Sequence, residues 1–543
     1  MESYGHIFRT RTDTEVILKA YAHWGTKCVH HLRGIFAFAI WQTEKQQSDH
    51  PVTKLFLARD QLGVKPLYYW KNDHTLLFAS EVRALLASGL VARKLDQAGL
   101  RSYLAYGSVQ DPFTLVEGVE SLLPGHTLTW KDGRTSVERY WQLPDPKQAS
   151  TNGSSDTYEQ VRERLDEAIR LQMVADVPLG AFLSGGIDST VIAALAQKAI
   201  DRPLKTFSVV FDEAAYDERH YSQIAARHIG TDHTELHLTG ESVVKTLPQA
   251  LMAFDQPSMD GLNTYFVSKV TREAGLTVAL SGVGGDELFG GYNGYHKTVL
   301  AERWGKRIGF LPQPMRFLVS NAIRSVATRE SHRKAAALWR DPKNSYFLTR
   351  EIYTPAQIAD LLKPDFNISF SNQAPPTFDR ILTETAEYDP INRASALELQ
   401  TYMLSTLLRD TDQMSMAHAL EVRVPLLDHK LVEYIFSLPG DRKLNSHQPK
   451  PLLTYSMNGD IPSECVHRPK RGFELPFAIW LKASLQSQVR GEFFNESVDR
   501  DIPFSVNGMK NIWSQFEQGR LGWSRVWGVY VLLHWLSSHR VAA

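Results

Sequence analysis

The sequence predicts an α/β protein in two unlike parts: an N-terminal segment of short antiparallel strands, and a longer part in which a doubly wound parallel sheet carries a helical extension. Three observations predict it. Short apolar runs separated by turn residues crowd residues 1–141, a polar and breaker-rich stretch follows, and beyond it short apolar strands alternate with amphipathic helices.

Each element has its own reason. Thr14 to Trp24 places Val16, Ile17, Ala20, Tyr21 and Trp24 at helical spacing and stops at Gly25. Ile35–Trp41 and Leu55–Asp60 are apolar runs, the second closed by Leu62-Gly63. Leu67–Trp70 and Leu76–Ala79 follow, with Asn72-Asp73 between them. Strands this short, joined by turns this tight, predict antiparallel pairing. Leu143-Pro144-Asp145-Pro146 and the run from Ala149 to Ser155 form a linker. A helix restarts at Thr157, with Thr157 and Gln160 as a capping box and Tyr158, Val161, Leu165 and Ile169 along one face.

Strands then fall at Leu179–Leu183, Thr206–Phe211, Thr234–Leu238 and Leu276–Leu280. Helices fall at Asp188–Ile200, at Asp217–His228 before Gly230, and at Thr264–Ala274. This alternation implies a parallel sheet covered on both faces, with ligands at the C-terminal ends of its strands. From Lys297 onward the chain is mostly helical, and the basic stretch Arg303–Arg350 reads as a solvated helical face. Trp527–Leu536 is too short to span a bilayer and reads as a buried helix. The expected domains are 1–141 and 157–543, with 142–156 as linker.

A chain of 543 residues with 43% hydrophobic and 22% charged residues can bury large cores without staples. Lysine plus arginine equals aspartate plus glutamate, at 60 each. A net charge of zero gives no reason to expect a nucleic-acid track or a membrane-surface patch. Small polar metabolites are the expected partners, with neither nucleic acid nor membrane, and a homodimer is left open. The two cysteines, Cys28 and Cys465, make no disulfide framework and no zinc spacing. The opening Met1–Gly5 lacks the basic start and apolar core of a signal peptide. A cytoplasmic setting is expected.

Two loops carry the chemistry. Ser184-Gly185-Gly186-Ile187-Asp188-Ser189 joins a buried strand to a helix. Its glycines let backbone N–H groups turn toward an anion, and the helix N-terminus adds partial positive charge. The hydroxyls of Ser184 and Ser189 add donors, and Asp188 can hold Mg2+ beside phosphates. The loop lacks the Gly-Lys-Ser/Thr ending of a Walker motif. It resembles the loop of ATP pyrophosphatases, which cleave ATP between the α- and β-phosphates. Ser281-Gly282-Val283-Gly284-Gly285-Asp286-Glu287 again leaves a strand through glycines. Two such loops on neighbouring strand ends would enclose one nucleotide, with Asp188 and Asp286 sharing a metal.

Together these loops resemble those of the asparagine synthetase family, whose β-lactam synthetase relatives share the fold. Arg409–Ala417, Glu421–Asp428 and His467-Arg468-Pro469-Lys470-Arg471-Gly472-Phe473 extend the match. Thr12–Leu18, Arg33–Phe38 and Ala58–Tyr69 are similar to its glutaminase domain, of the class II glutamine amidotransferase type. The resemblance implies an incomplete N-terminal αββα glutaminase-like domain before an ATP-pyrophosphatase domain. It implies ATP and Mg2+ as cofactors, with Leu183, Val209, Ser281 and Gly282 at the adenosine. Ser184, Gly185, Gly186, Asp188 and Ser189 would hold pyrophosphate, and Asp188 and Asp286 the metal. Lys470 would be catalytic near the α-phosphate, with Asp286 beside it, and Asp13 would be a remnant of the glutamine site. Arg423 is expected to be structural. The implied reaction converts aspartate to asparagine through β-aspartyl-AMP.

Two positions depart from the family. Its glutaminase uses an N-terminal cysteine, where this chain has Met1-Glu2, and Cys28 lies mid-chain. The arginine and Asn-Gly-Glu segment that precede the Asp13 motif in the family are also absent. The expectation is therefore use of free ammonia, with glutamine use restored in a chain extended upstream to a Met-Cys start. Val283 stands where the family has glutamate, and valine can neither accept a proton nor bind a cation. That leaves open another acceptor carboxylate, in a surface-polymer or secondary-metabolite pathway. A different pyrophosphatase-loop ligase is argued against by the glutaminase-like N-terminus and the Lys470 loop. A non-catalytic scaffold would need decayed loops, and these are intact.

Overall fold

The structure is a computed structural model. It describes residues 1–44, 52–145, 156–211, 218–325, 330–342, 345–364, 366, 376–444, 448–469, 475–494 and 502–542. The linker from 146 to 155, the helix start at Asp217, and Lys470 with the four residues after it lie outside the described residues.

The first part is antiparallel, as its turns predict. Strands β1 (Ala37–Glu44), β2 (Val52–Arg59), β6 (His126–Lys131) and β7 (Arg134–Arg139) form one sheet in the order β1-β2-β6-β7. Strands β3 (Tyr68–Lys71), β4 (Leu76–Ala79) and β5 (Val119–Ser121) form a second, ordered β4-β3-β5. Side-chain alternation on β2 explains the layering. Phe56 and Ala58 pack with Ala20 and Tyr21 of α1 (Asp13–Trp24), while Leu55 and Leu57 pack with Leu67 and Tyr69 at the second sheet. On the far side of β3, Tyr68 shares a core with α2 (Val82–Ala87) and α3 (Gln97–Tyr106). Helix, sheet, sheet, helix is the αββα order.

The second part is built on five parallel strands: β8 (Leu179–Phe182), β9 (Lys205–Phe211), β10 (Asp232–Leu238), β11 (Val278–Leu280) and β12 (Glu421–Arg423). Their order is β10-β9-β8-β11-β12, with Leu280 paired to Ala181 and Phe182 to Phe207. The chain winds outward from β8 in both directions, so a crevice opens at its C-terminal end, where strand order reverses. Helices α4 (Asp156–Gln172), α5 (Ile187–Lys198), α6 (Arg219–Ile229), α7 (Gly240–Met252) and α8 (Leu262–Glu273) alternate with these strands. Val161, Leu165 and Ile169 of α4 are buried as their spacing predicts. The helix starts at Asp156, however, so Thr157 lies in its first turn and is not its cap. Helix α7 was not expected: Pro248 interrupts its pattern, while Thr239 caps its start by accepting the Ser242 N–H.

The helical extension holds α9 (Gly285–Phe289), α10 (Asn293–Gly309), α11 (Gln313–Ser325), α12 (Glu330–Arg340) and a series of later helices. The rod from Pro390 to Met416 is wound as a π-helix over Leu399–Leu408, an unusual length for that geometry. The C-terminal helix Trp523–His539 is buried along most of its length, as expected of its apolar run. Among the described residues, no helix is long and apolar enough to cross a membrane.

Candidate active site

The two glycine-rich loops leave adjacent parallel strands at the same edge of the sheet. The first follows β8, the second β11, and β8 pairs with β11. The register makes the two loops neighbours in space, the condition under which they would enclose one nucleotide.

In the first loop, Gly185 takes φ +71°, and a Cβ there would lie 2.4 Å from the Tyr221 carbonyl carbon. Only glycine fits both the backbone and the gap. Gly186 then caps α5. The Ser184 and Ser189 hydroxyl oxygens lie 3.2 Å apart, and Ser189 Oγ donates to the Gly186 carbonyl at 3.2 Å. Gly186 N–H donates to Ser184 Oγ. These bonds hold the loop open around the helix N-terminus, where first-turn N–H groups have no helical partner.

In the second loop, Gly284 takes φ +93° and turns the chain into α9. A Cβ on Gly282 would lie 2.9 Å from Asp188 Cβ, and one on Gly285 2.4 Å from Asp188 Oδ1. These glycines therefore admit the first loop's carboxylate. Asp286, on α9, completes the meeting point. Ser281 N–H donates to the Arg423 carbonyl on β12, and Ser281 Oγ accepts from Val283 N–H.

Between the two aspartates stands Lys450. Its Nζ is 2.6 and 2.5 Å from the Asp188 oxygens and 2.5 Å from Asp286 Oδ1. Burial alone would push its ammonium down, but Asp188 and Asp286 together raise it above the ordinary lysine value. Its backbone takes φ +45°, a left-handed conformation that costs a lysine about 1–3 kcal/mol. Gly291 makes room for it, since a Cβ there would lie 2.0 Å from Lys450 Cε. Lys450 was not singled out from the sequence. The only local sign was Pro449-Lys450-Pro451, whose prolines stiffen the backbone around one cation.

The other expected residues sort by position. Leu183 is fully buried, with its N–H on the Phe207 carbonyl, and Val209 is buried on the neighbouring strand β9. Val283 is half-buried against the core beneath the loops. Next to Asp286, burial and the Asp286 charge push the Glu287 carboxyl up to about 7, and the Tyr292 hydroxyl donates to it. Two residues before Lys470, Arg468 donates to the Ser184 carbonyl at 3.1 Å and pairs with Glu218 at 2.9 Å. The segment leading to Lys470 thus lies against the first loop. Arg423 binds Glu421 and donates to the carbonyls of Gln172 and Val174, fastening β12 to the end of α4.

Asp13 is not brought to this cluster. It is exposed at the start of α1, where its Oδ1 accepts the Thr14 N–H. Cys28 is fully buried in the α1 core, and burial pushes its thiol up to about 11; Cys465 is likewise raised to about 11. Neither is an activated nucleophile.

Comparison with known proteins follows the same division. The family model described as "Asparagine synthase" matches residues 160–537, and that described as "Glutamine amidotransferase domain" matches residues 1–141. Asparagine synthetase [glutamine-hydrolyzing] 1 of Bacillus subtilis is 31% identical over 509 residues, covering 92% of this chain and 77% of that protein. Asparagine synthetase [glutamine-hydrolyzing] 3 of the same organism is 30% identical over 488 residues, 87% of this chain and 72% of that one. Amidase chry2 of Gibberella zeae is 27% identical over 526 residues, 89% and 75% of the two chains.

Proposed function

The chain belongs to the asparagine synthase family of carbon–nitrogen ligases, and from that premise we propose that it makes an amide with ATP, releasing AMP and pyrophosphate. Aspartate is the leading acceptor, asparagine the product and ammonia the nitrogen donor. We also propose 1–141 as a glutaminase-like domain and 157–543 as the synthetase domain, in the cytoplasm.

One observation carries the reading: two glycine loops at adjacent strand ends bring Asp188 and Asp286 onto one cation. The first-turn N–H groups of α5 and the hydroxyls of Ser184 and Ser189 would hold the leaving pyrophosphate. Leu183, Val209, Ser281 and Gly282 would line the adenosine side. Two carboxylates already sharing a positive charge fit Mg2+, which is commonly held by one or two carboxylates plus phosphates. Bound there, it would offset the phosphate charge. Lys450 would guard the same carboxylates. Lys470 would meet the charge that develops at the α-phosphate, a role for a fixed cation. In the first step a carboxylate oxygen attacks the α-phosphorus and pyrophosphate leaves. In the second, ammonia attacks the acyl carbon and AMP leaves. Neither Cys28 nor Cys465, each buried with a raised thiol, is placed as a glutaminase nucleophile. Residues 1–543 would therefore take ammonia, and a version extended upstream to a Met-Cys start would take glutamine.

Incubation with ATP, Mg2+, aspartate and ammonium should yield AMP, pyrophosphate and asparagine. ADP and phosphate would overturn the reading. Glutamate release from glutamine that Cys28→Ala abolishes would overturn the assignment of ammonia. Val283 favours a second reading, amidation of a different carboxylate. AMP formation driven by another carboxylate, with aspartate inert, would select it.

A further inference from the structure

We propose that the exposed side of α10, with the turn that follows it, is a docking surface for an anionic lipid membrane. One side of α10 is packed. Glu302 is buried beside Arg393, Ile308 is buried, and a Cβ on Gly305 would lie 2.6 Å from the Pro342 carbonyl. On α11, Ser320 donates to the Ala336 carbonyl of α12. Along α10, the turn after it and α11, large apolar side chains meet solvent: Leu300, Trp304, Phe310, Leu311, Met315 and Leu318, with Phe310 90% and Leu318 72% exposed. Scattered apolar residues are ordinary, but six within nineteen consecutive residues are not.

The cations are arranged around this cluster. At about 100° per residue, Leu300 and Trp304 lie about 40° apart on α10. Arg303 and Arg307 fall on one side of them and Lys297 on the other, and all three are exposed. Arg307 lies 5.9 Å from the Trp304 ring centroid. From 293 to 340 the chain has ten lysines and arginines and two glutamates, one of them the buried Glu302. The neutral balance of the whole chain hides this local excess. An aromatic and aliphatic stripe bordered by Lys and Arg is the pattern of helices that lie in a membrane interface. The apolar side chains enter the acyl boundary while the cations meet anionic headgroups, each contributing to affinity. A second copy is the poorer occupant, because two-fold apposition would set arginines against arginines. Nucleic acid would match the cations but leave Phe310 and Leu318 without an apolar partner.

The experiment uses the full chain in flotation with two vesicle types, phosphatidylcholine alone and an equal mixture of phosphatidylcholine and phosphatidylglycerol. Binding is expected only to the mixed vesicles and should weaken as salt rises. Arg303→Glu with Arg307→Glu should lower apparent affinity at least about tenfold, at the usual contribution of each interfacial cation. Trp304→Ser with Phe310→Ser should also release the protein. All four positions are exposed and lie outside the nucleotide site, so AMP formation should be unchanged. No binding to mixed vesicles, equal binding to neutral ones, or retained binding by both variants would overturn the proposal. A stable dimer that Phe310→Ser dissociates, or capture only by an acidic protein partner, would also overturn it.

Discussion

Lys443 and Lys450 are both buried, seven positions apart, and their surroundings give them opposite behaviour. Lys450 lies between two carboxylates and is held charged. Burial pushes Lys443 down from 10.5 to about 7, against the pull of Asp389, and it faces the Phe436 ring at 4.1 Å. A base whose folded pKa is depressed contributes stability that is present above 10.5 and lost as pH falls through about 7. Lys443→Met should therefore raise Tm most at or below pH 7, and the gain should shrink as pH approaches 10.5. Calorimetry of both proteins across that window checks it; an increment independent of pH would refute a neutral Lys443. Removing a carboxylate from the site acts differently. Asp188→Asn and Asp286→Asn should each lower ATP–pyrophosphate exchange by about 10²–10³ with the fold retained, and Lys470→Ala likewise. Circular dichroism alongside the exchange assay separates loss of chemistry from loss of structure.

At the scale of elements, the same residue type does different work according to what stands opposite it. Gly230 ends α6 at φ +80° with nothing within 4 Å of a Cβ. Gly285 begins α9 with Asp188 Oδ1 2.4 Å from where a Cβ would be. Gly230→Ala should cost about 1 kcal/mol of stability, from the left-handed backbone alone, and leave exchange intact. Gly285→Ala should displace Asp188, and misplacement by about 1 Å can cost about 10²-fold in rate. Urea titration and pyrophosphate exchange on both variants check the contrast. Elements with a strong period were legible: α4, α5, α8 and strands β8 to β11 fall within a few residues of where spacing predicts them. Helix α7 was missed at Pro248 and β12 at its three residues, too short for a period to register. The π-helical winding of Leu399–Leu408 has no sequence signature, because it depends on what the rod packs against.

At the scale of the whole molecule, residues that match the glutaminase motifs tie the two parts together. Arg33 binds Asp428 and Glu167, and Lys65 binds Asp412. Asp111 accepts from Arg59 at 2.9 Å and from Arg409 at 2.5 Å, all three buried. Asp255 of the second part accepts the N–H groups of Val82 and Arg83 at the start of α2. Breaking a buried pair leaves an uncompensated charge, so Asp111→Ala should cost about 3–5 kcal/mol. Urea unfolding should show it, and a change under 1 kcal/mol would mean that the clamp is solvated. Sequence alone determined the fold class, the two glycine loops and the family, because hydrophobic period, glycine spacing and motif order are local properties of the chain. Tertiary structure alone decided that Lys450 joins Asp188 and Asp286, that Asp111 stands between Arg59 and Arg409, and that Leu300, Trp304 and Phe310 stay exposed. Those facts depend on which distant side chains burial brings together, and a charge or an apolar group has no partner until the chain has folded around it.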